Sequence, residues 1–232
     1  MYALIISGGE GARLRPHTDD RPKPMILVSG RPILEHQVRW LQSEGVTDVV
    51  FLCGYRSDVI ERHFGDGSAF SVGIQYSREE EPLGRGGALR QGFGLVPPSE
   101  ENIIALNGDI LCNQPLAPLL AAHKRHAAVA TLMLAPLTSP YGIVRVNRAG
   151  RVSSFEEKPR LPYWVNGGVY VLSRTFFSLL PERGDHETTV FPQLAQQGKL
   201  HGYRSQAYWR PIDTIKDLQE AERELESLGS GG

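Results

Sequence analysis

Three short apolar runs constrain the fold more than any other feature of this chain. Residues 2–7 (YALIIS), 48–53 (DVVFLC) and 102–107 (NIIALN) are rich in branched aliphatics and almost free of charge. That is the pattern of strands buried on both faces of a parallel sheet. Between the first two, residues 32–44 place Ile33, Leu34, Gln37, Val38 and Leu41 at helical spacing and stop at Gly45, a residue suited to a helix C-terminus. Residues 57–64 and 86–95 read as further helices. The alternation predicts an α/β, doubly wound sheet that binds ligands at the carboxyl ends of its strands.

The second half reads differently. Residues 128–134, 143–146, 152–156 and 165–172 have strand character, with Arg148-Ala149-Gly150 as a hairpin turn. Residues 173–180 and 187–197 read as helical. The last helix opens on Thr214-Ile215-Lys216-Asp217, which has capping-box form. Leu218, Ala221, Leu225 and Leu228 then share one face, a packing stripe that also permits a homodimer. His123 and His126 sit among Lys124 and Arg125 and read as an exposed basic helix face. One unit over residues 1–228 is expected, followed by a flexible tail at 229–232.

Charge excludes some function classes. Twenty-five basic and 26 acidic residues leave a net charge of −1, which gives no electrostatic case for nucleic acid or an anionic membrane as partner. No run approaches the roughly 20 apolar residues of a membrane span. Cys53 and Cys112 are the two cysteines and lack ligand-like spacing. They read as buried reduced thiols, as in a cytoplasmic protein.

The first apolar run empties into Ser7-Gly8-Gly9-Glu10-Gly11-Ala12-Arg13-Leu14, and Arg21-Pro22-Lys23-Pro24-Met25 follows. Glycines let the backbone reach positive φ and bring its N–H groups close to a polyphosphate. Arg13 offers a planar fork for phosphate oxygens and Lys23 a compact point charge. Together they read as a triphosphate site. A Walker A loop is absent, and so is the dinucleotide fingerprint, since the third glycine position after Gly9 and Gly11 is Leu14.

Asn107-Gly108-Asp109 follows a buried strand, where a carboxylate either reaches the crevice as an oxygen ligand for a hard divalent ion or satisfies a turn. Asp213 precedes the last helix and could cap it, although Thr214 is available for that duty. Glu157 and Lys158 join an acid suited to sugar hydroxyls with a cation suited to a sugar phosphate, or form a surface charge cluster. Gly84, Gly86 and Gly87 precede or open a helix, where backbone can lie against a flat base and the N-terminus favours negative charge.

Gly8-Gly9-x-Gly11-x-Arg13-Leu14 with Pro22-Lys23-Pro24-Met25 resembles the signature of the sugar-1-phosphate nucleotidylyltransferases, and the similarity extends to the last helix. The resemblance implies a Rossmann-like, doubly wound mixed sheet of the nucleotide-diphospho-sugar transferase type, without a β-helix domain. It implies a reaction of a nucleoside triphosphate with a sugar 1-phosphate, giving an NDP-sugar and pyrophosphate. It also implies Mg²⁺ on Asp109 and Asp213, and nucleotide contacts from Ser7, Gly8, Gly9, Gly11, Arg13, Lys23, Gly84, Gly86, Gly87 and Asp109. Arg13, Lys23 and Asp109 would be catalytic. Glu157, Lys158, Asn166, Gly167 and Gly142 would hold the sugar phosphate, with Trp164 and Trp209 as further candidates for its pocket. Relatives commonly carry threonine where this chain has Arg85, which leaves that side chain for phosphate or solvent. Residues 141–144, 154–158 and 165–170 look most like guanylyltransferases acting on mannose or heptose 1-phosphates. Residues 208–214 look more like glucose-1-phosphate cytidylyltransferases. Uridylyl or thymidylyl transfer and a silent NDP-sugar sensor complete the alternatives.

Overall fold

The computed structural model describes residues 1–229. Its strands in chain order are β1 (Tyr2–Ile6), β2 (Leu27–Val28), β3 (Arg31–Pro32), β4 (Asp48–Cys53), β5 (Gly73–Arg78), β6 (Asn102–Asn107), β7 (Ile110–Cys112), β8 (Ala130–Thr138), β9 (Ile143–Val146), β10 (Val152–Glu156), β11 (Arg160–Ser173), β12 (Leu200–Arg204) and β13 (Trp209–Pro211). The helices are α1 (Ile33–Ser43), α2 (Ser57–Phe64), α3 (Gly84–Phe93), α4 (Leu116–His126), α5 (Val190–Gln196) and α6 (Ile215–Gly229). Seven strands form one mixed sheet in the order β12-β8-β11-β6-β1-β4-β5. β5, β4, β1 and β6 are parallel, and β11 enters antiparallel between β6 and β8. The expected α/β mixed sheet is what the chain forms.

Alternate residues of the central strands feed opposite layers, which is why those runs carry so little charge. Ile5, Phe51, Ile104 and Leu106 pack with Leu34 and Val38 of α1, Ile60 of α2 and Leu119 of α4. Leu4, Val50, Leu52 and Ala105 pack on the other side with Leu89 of α3 and Phe191 and Leu194 of α5. The register pairs Ile6 with both Leu52 and Asn107. The three strand ends therefore finish level, and the turns that follow them meet at one edge of the sheet.

Several expectations need correction. The strand read at 128–134 runs from Ala130 to Thr138, and the one read at 165–172 lengthens to Arg160–Ser173. The helix read at 173–180 is a 3-10 helix over Arg174–Leu179, and that at 187–197 shortens to Val190–Gln196. Leu218 and Ala221 of the last helix are buried against Leu14, Ile26, Val28 and Ile33, with Leu225 packed alongside. From Leu218 to Leu225 the stripe thus packs against the chain itself. Gly229, assigned to the tail, ends α6. The side chain of Leu228 and residues 230–232 lie outside the described residues. His123 is 3% exposed and bonds Thr131 Oγ1 at 2.9 Å. It shares the buried face of α4 with Leu116, Leu119 and Ala122 rather than the basic face. Both cysteines are unpaired, and burial pushes Cys53 up to about 12 and Cys112 to about 11, so neither is a thiolate at neutral pH. No described helix is long and apolar enough to cross a membrane.

Candidate active site

The turn after β1 is strapped to the lysine segment. Gly9 carbonyl accepts the Lys23 N–H at 3.1 Å, and Thr18 donates its hydroxyl to Gly11 carbonyl at 3.0 Å. Gly11 has φ +68°, and a Cβ on it would lie 2.8 Å from Lys23 Cβ. Gly8 lies so close to the turn after β4 that its Cβ would meet Gly54 N at 3.2 Å. Gly11→Ala is expected to cost about 1–2 kcal/mol from the left-handed backbone alone and to push the Lys23 stem aside. Urea unfolding and steady-state kinetics on the one variant would check both effects; full activity with unchanged stability would contradict them.

Lys23, in the 3-10 turn Lys23–Met25, is only 10% exposed along its side chain. Its ammonium donates to Asp109 Oδ2 at 2.6 Å and to Asp213 Oδ1 at 2.8 Å. Arg13 donates to the same Asp213 oxygen at 3.0 Å. Burial works against the charge on Lys23, but the two carboxylates outweigh it and hold its pKa above the ordinary lysine value. The backbone explains the convergence. Asp109 follows β6, Gly108 N–H bonds Ile6 carbonyl at 2.9 Å, and β7 pairs with β13. Ile212 N–H then bonds Asp109 carbonyl at 2.9 Å, which sets Asp213 opposite. Thr214 and Asp217 cap α6 reciprocally, with Asp217 Oδ2 accepting from Thr214 N and Thr214 Oγ1 accepting from Asp217 N. Asp213 is thereby left for the site.

Two cavities meet at this triad and share Asn107 and Asp109. The smaller, about 330 Å³, is walled by Gly8, Gly9, Lys23, Gly84 and Arg85. The larger, about 820 Å³, is walled by Lys158, Asn166, Gly167, Trp209, Asp213 and Lys216, among others. Trp209 donates its indole N–H to Gly167 carbonyl at 2.7 Å. Trp164 instead has the guanidinium groups of Arg160 and Arg204 over its ring, at 5.3 and 5.4 Å from the centroid, and is not in the lining of either cavity.

Other expected residues have different surroundings. Ser7 spends both its N–H and its hydroxyl on Leu52 carbonyl, each at 3.0 Å, and faces neither cavity. Gly86 and Gly87 are buried against residues 182–186, where a Cβ on Gly87 would meet Glu182 O at 2.5 Å. Packing against that segment by itself requires glycine there. Arg85, on the wall of the smaller cavity, pairs with Asp185 and, at 2.7 Å, with Glu187. Gly142 and Glu157 lie beside each other at the open end of the β9–β10 hairpin, outside the cavity lining. Lys216 on the wall was missed because its helix was read through its capping box and its apolar stripe.

Asp109 and Asp213 converge on one ammonium, so the same two hard oxygen donors fit a divalent cation. Among the described residues no group of three or more His, Cys, Asp or Glu could hold a metal.

The chain matches the Nucleotidyl transferase family over residues 2–227. It belongs to that family. Members of the family typically use a divalent metal. It is 35% identical over 231 residues to a mannose-1-phosphate guanylyltransferase of Mycobacterium tuberculosis, covering 96% of this chain and 64% of the relative. It is 34% identical over 225 residues to mannose-1-phosphate guanyltransferase beta-B of Xenopus laevis, covering 94% and 62%. The chain therefore spans under two thirds of the length of these relatives. Among solved structures it is similar to HddC from Yersinia pseudotuberculosis, with TM-score 0.78 and 24% identity over 97% of this chain and 99% of that one. A putative glucose-1-phosphate thymidylyltransferase from Bacillus anthracis gives TM-score 0.77 and 23% identity over 97% and 94%. These structures share the fold.

Proposed function

We propose that this chain joins a nucleoside triphosphate to a sugar 1-phosphate, releasing pyrophosphate, with GTP and mannose 1-phosphate as the preferred pair. The observation that carries the reading is the position of Lys23, Asp109 and Asp213 where the two cavities meet. One substrate in each cavity would bring the reacting phosphates together at that point. The guanylyl and mannose assignments rest on the relatives' names and on the sequence segments that resemble them.

The attacking oxygen of a sugar 1-phosphate is already ionised at neutral pH, so the reaction needs no side-chain nucleophile. That oxygen would form a bond to the α-phosphorus as the bond to the β-phosphate oxygen breaks. The obstacle is the meeting of two polyanions, and the chain's part is to position them and balance their charge. Lys23 would steady the α-phosphate, while Arg13 and the amides of the Gly8–Gly9 turn would hold the departing pyrophosphate. Lys158 on the wall of the larger cavity would draw in the sugar phosphate. Asp109 and Asp213 would hold the metal, which we assign as Mg²⁺. When bound, it supplies neutralising charge to the nucleotide phosphates.

The test crosses GTP, CTP, UTP, dTTP and ATP with mannose, glucose and heptose 1-phosphates and follows pyrophosphate release with Mg²⁺. GTP with mannose 1-phosphate is expected to lead. Another leading pair would keep the reaction and correct the substrates; silence throughout would overturn the reading.

A further inference from the structure

Glu187 belongs to neither cavity, yet it touches a wall residue of each. Its Oε1 accepts from Asn166 Nδ2 at 3.1 Å and from the Tyr170 hydroxyl at 2.9 Å. The same oxygen lies 2.7 Å from Arg85 Nη1. Arg85 walls the smaller cavity and Asn166 the larger. Asp185 completes the arrangement. It accepts from Arg85 Nε at 2.8 Å and, through Oδ1, from Glu187 N–H at 2.9 Å, so the carboxylate is held at both its backbone and its tip.

On the sugar side the amide of Asn166 is engaged at both ends. Its Nδ2 donates to Glu187 and to the buried Tyr170 oxygen at 3.0 Å, and its Oδ1 accepts the Gly168 N–H at 3.0 Å. The orientation of Asn166, and with it the Gly167–Gly168 wall, therefore depends on a carboxylate whose counter-ion sits in the other cavity. A charge-assisted hydrogen bond of this kind is stronger and more directional than a neutral one.

We propose that Glu187 is a positioning residue that couples the two cavities, so that the state of Arg85 on the nucleotide side sets Asn166 for the sugar phosphate. The coupling rests on the two-substrate reading above. Arg85→Met removes the cation without touching Asn166. Glu187→Gln keeps an acceptor for Asn166 and Tyr170 but loses the ion pair.

Each variant is expected to raise the KM for the sugar 1-phosphate about 5–10-fold, at the lower end of typical coupling between sites, with kcat within about 2-fold. Arg85→Met/Glu187→Gln should be no worse than either single change, because both break one link. In the ligand-free protein, hydrogen exchange at the Gly168 amide should quicken in Arg85→Met. A residue that merely stabilised the fold would leave the sugar 1-phosphate KM unmoved. An unchanged KM in both single variants, or additive effects in the double variant, overturns the proposal. If the parent protein turns over no substrate pair, the reaction assignment fails and exchange alone decides the link: faster Gly168 exchange in Arg85→Met supports it, and unchanged exchange overturns it.

Discussion

Lys23→Ala protein is expected to turn over about 10²–10³-fold more slowly than the parent at saturating substrates, the loss typical of removing one preorganised charge from a phosphoryl or oxyanion site. The size of the effect follows from how little freedom this ammonium has. Its stem runs beneath Gly11, its N–H is held by Gly9 carbonyl, and its charge is fixed between Asp109 and Asp213. A group already oriented before substrate arrives costs no reorganisation during reaction, so most of its interaction energy is available to the transition state. Lys23→Arg should rescue poorly, since a planar fork cannot take the place of a compact ammonium in a pocket closed by Gly11. Arg13→Ala should lose less, because the Arg13 side chain is 74% exposed and its pairing with Asp213 is screened by solvent. Steady-state kinetics beside a thermal melt separates lost chemistry from lost fold. Normal turnover by a folded Lys23→Ala protein would remove Lys23 from the mechanism.

The members of this triad were each legible in sequence, and the resemblance already put the two aspartates on one metal; the strand pairing that brings them together was not legible. Lys23 and Asp109 follow recognisable signals: a glycine turn with a Pro-Lys-Pro element, and a Gly-Asp step after a buried strand. Asp213 reaches them through the pairing of β7 with β13, two three-residue strands too short to leave a period in the sequence. The central strands were legible because burial on both faces leaves a run without charge. β5 and β12 lie at the sheet edges, where half the side chains face solvent, and GIQYSR and LHGYR carry too few apolar residues to stand out. β11 hides its length for another reason: its pairing with β8 shifts register twice, between Arg160 and Trp164 and between Asn166 and Tyr170. Arg85 shows the limit of motif reading most clearly. Its departure from the family's threonine was visible, but its partners Asp185 and Glu187 come from a distant loop, part of which was read as the start of a helix that begins only at Val190.

Acidification from pH 7 to pH 5 is expected to destabilise the protein in a way that His186→Leu partly removes. His186 is fully buried, edge-on to Tyr170, Phe176 and Phe191. Neither ring nitrogen has a hydrogen-bond partner. Burial pulls its pKa down to about 4; Asp185, 3.9 Å from Nδ1, opposes that shift and Arg85 adds to it. His123 is likewise depressed to about 4, by burial first and then by His201 and Lys124. For a base whose folded pKa lies below its unfolded value of 6.5, the unfolded chain takes up the proton first. Stability is therefore present above the unfolded pKa and is lost as pH falls from 6.5 towards 4. The loss amounts to about 2 kcal/mol per histidine by pH 5. His186→Leu should hold its stability at pH 7, because an apolar side chain of similar size leaves no unsatisfied nitrogen in the core. Its urea midpoint should then fall less steeply between pH 7 and pH 5 than that of the parent, the remaining slope coming from His123 and the carboxylates. Equal slopes in the two proteins would mean that His186 reaches a proton partner in the folded state, and the acid sensitivity would have to be assigned elsewhere.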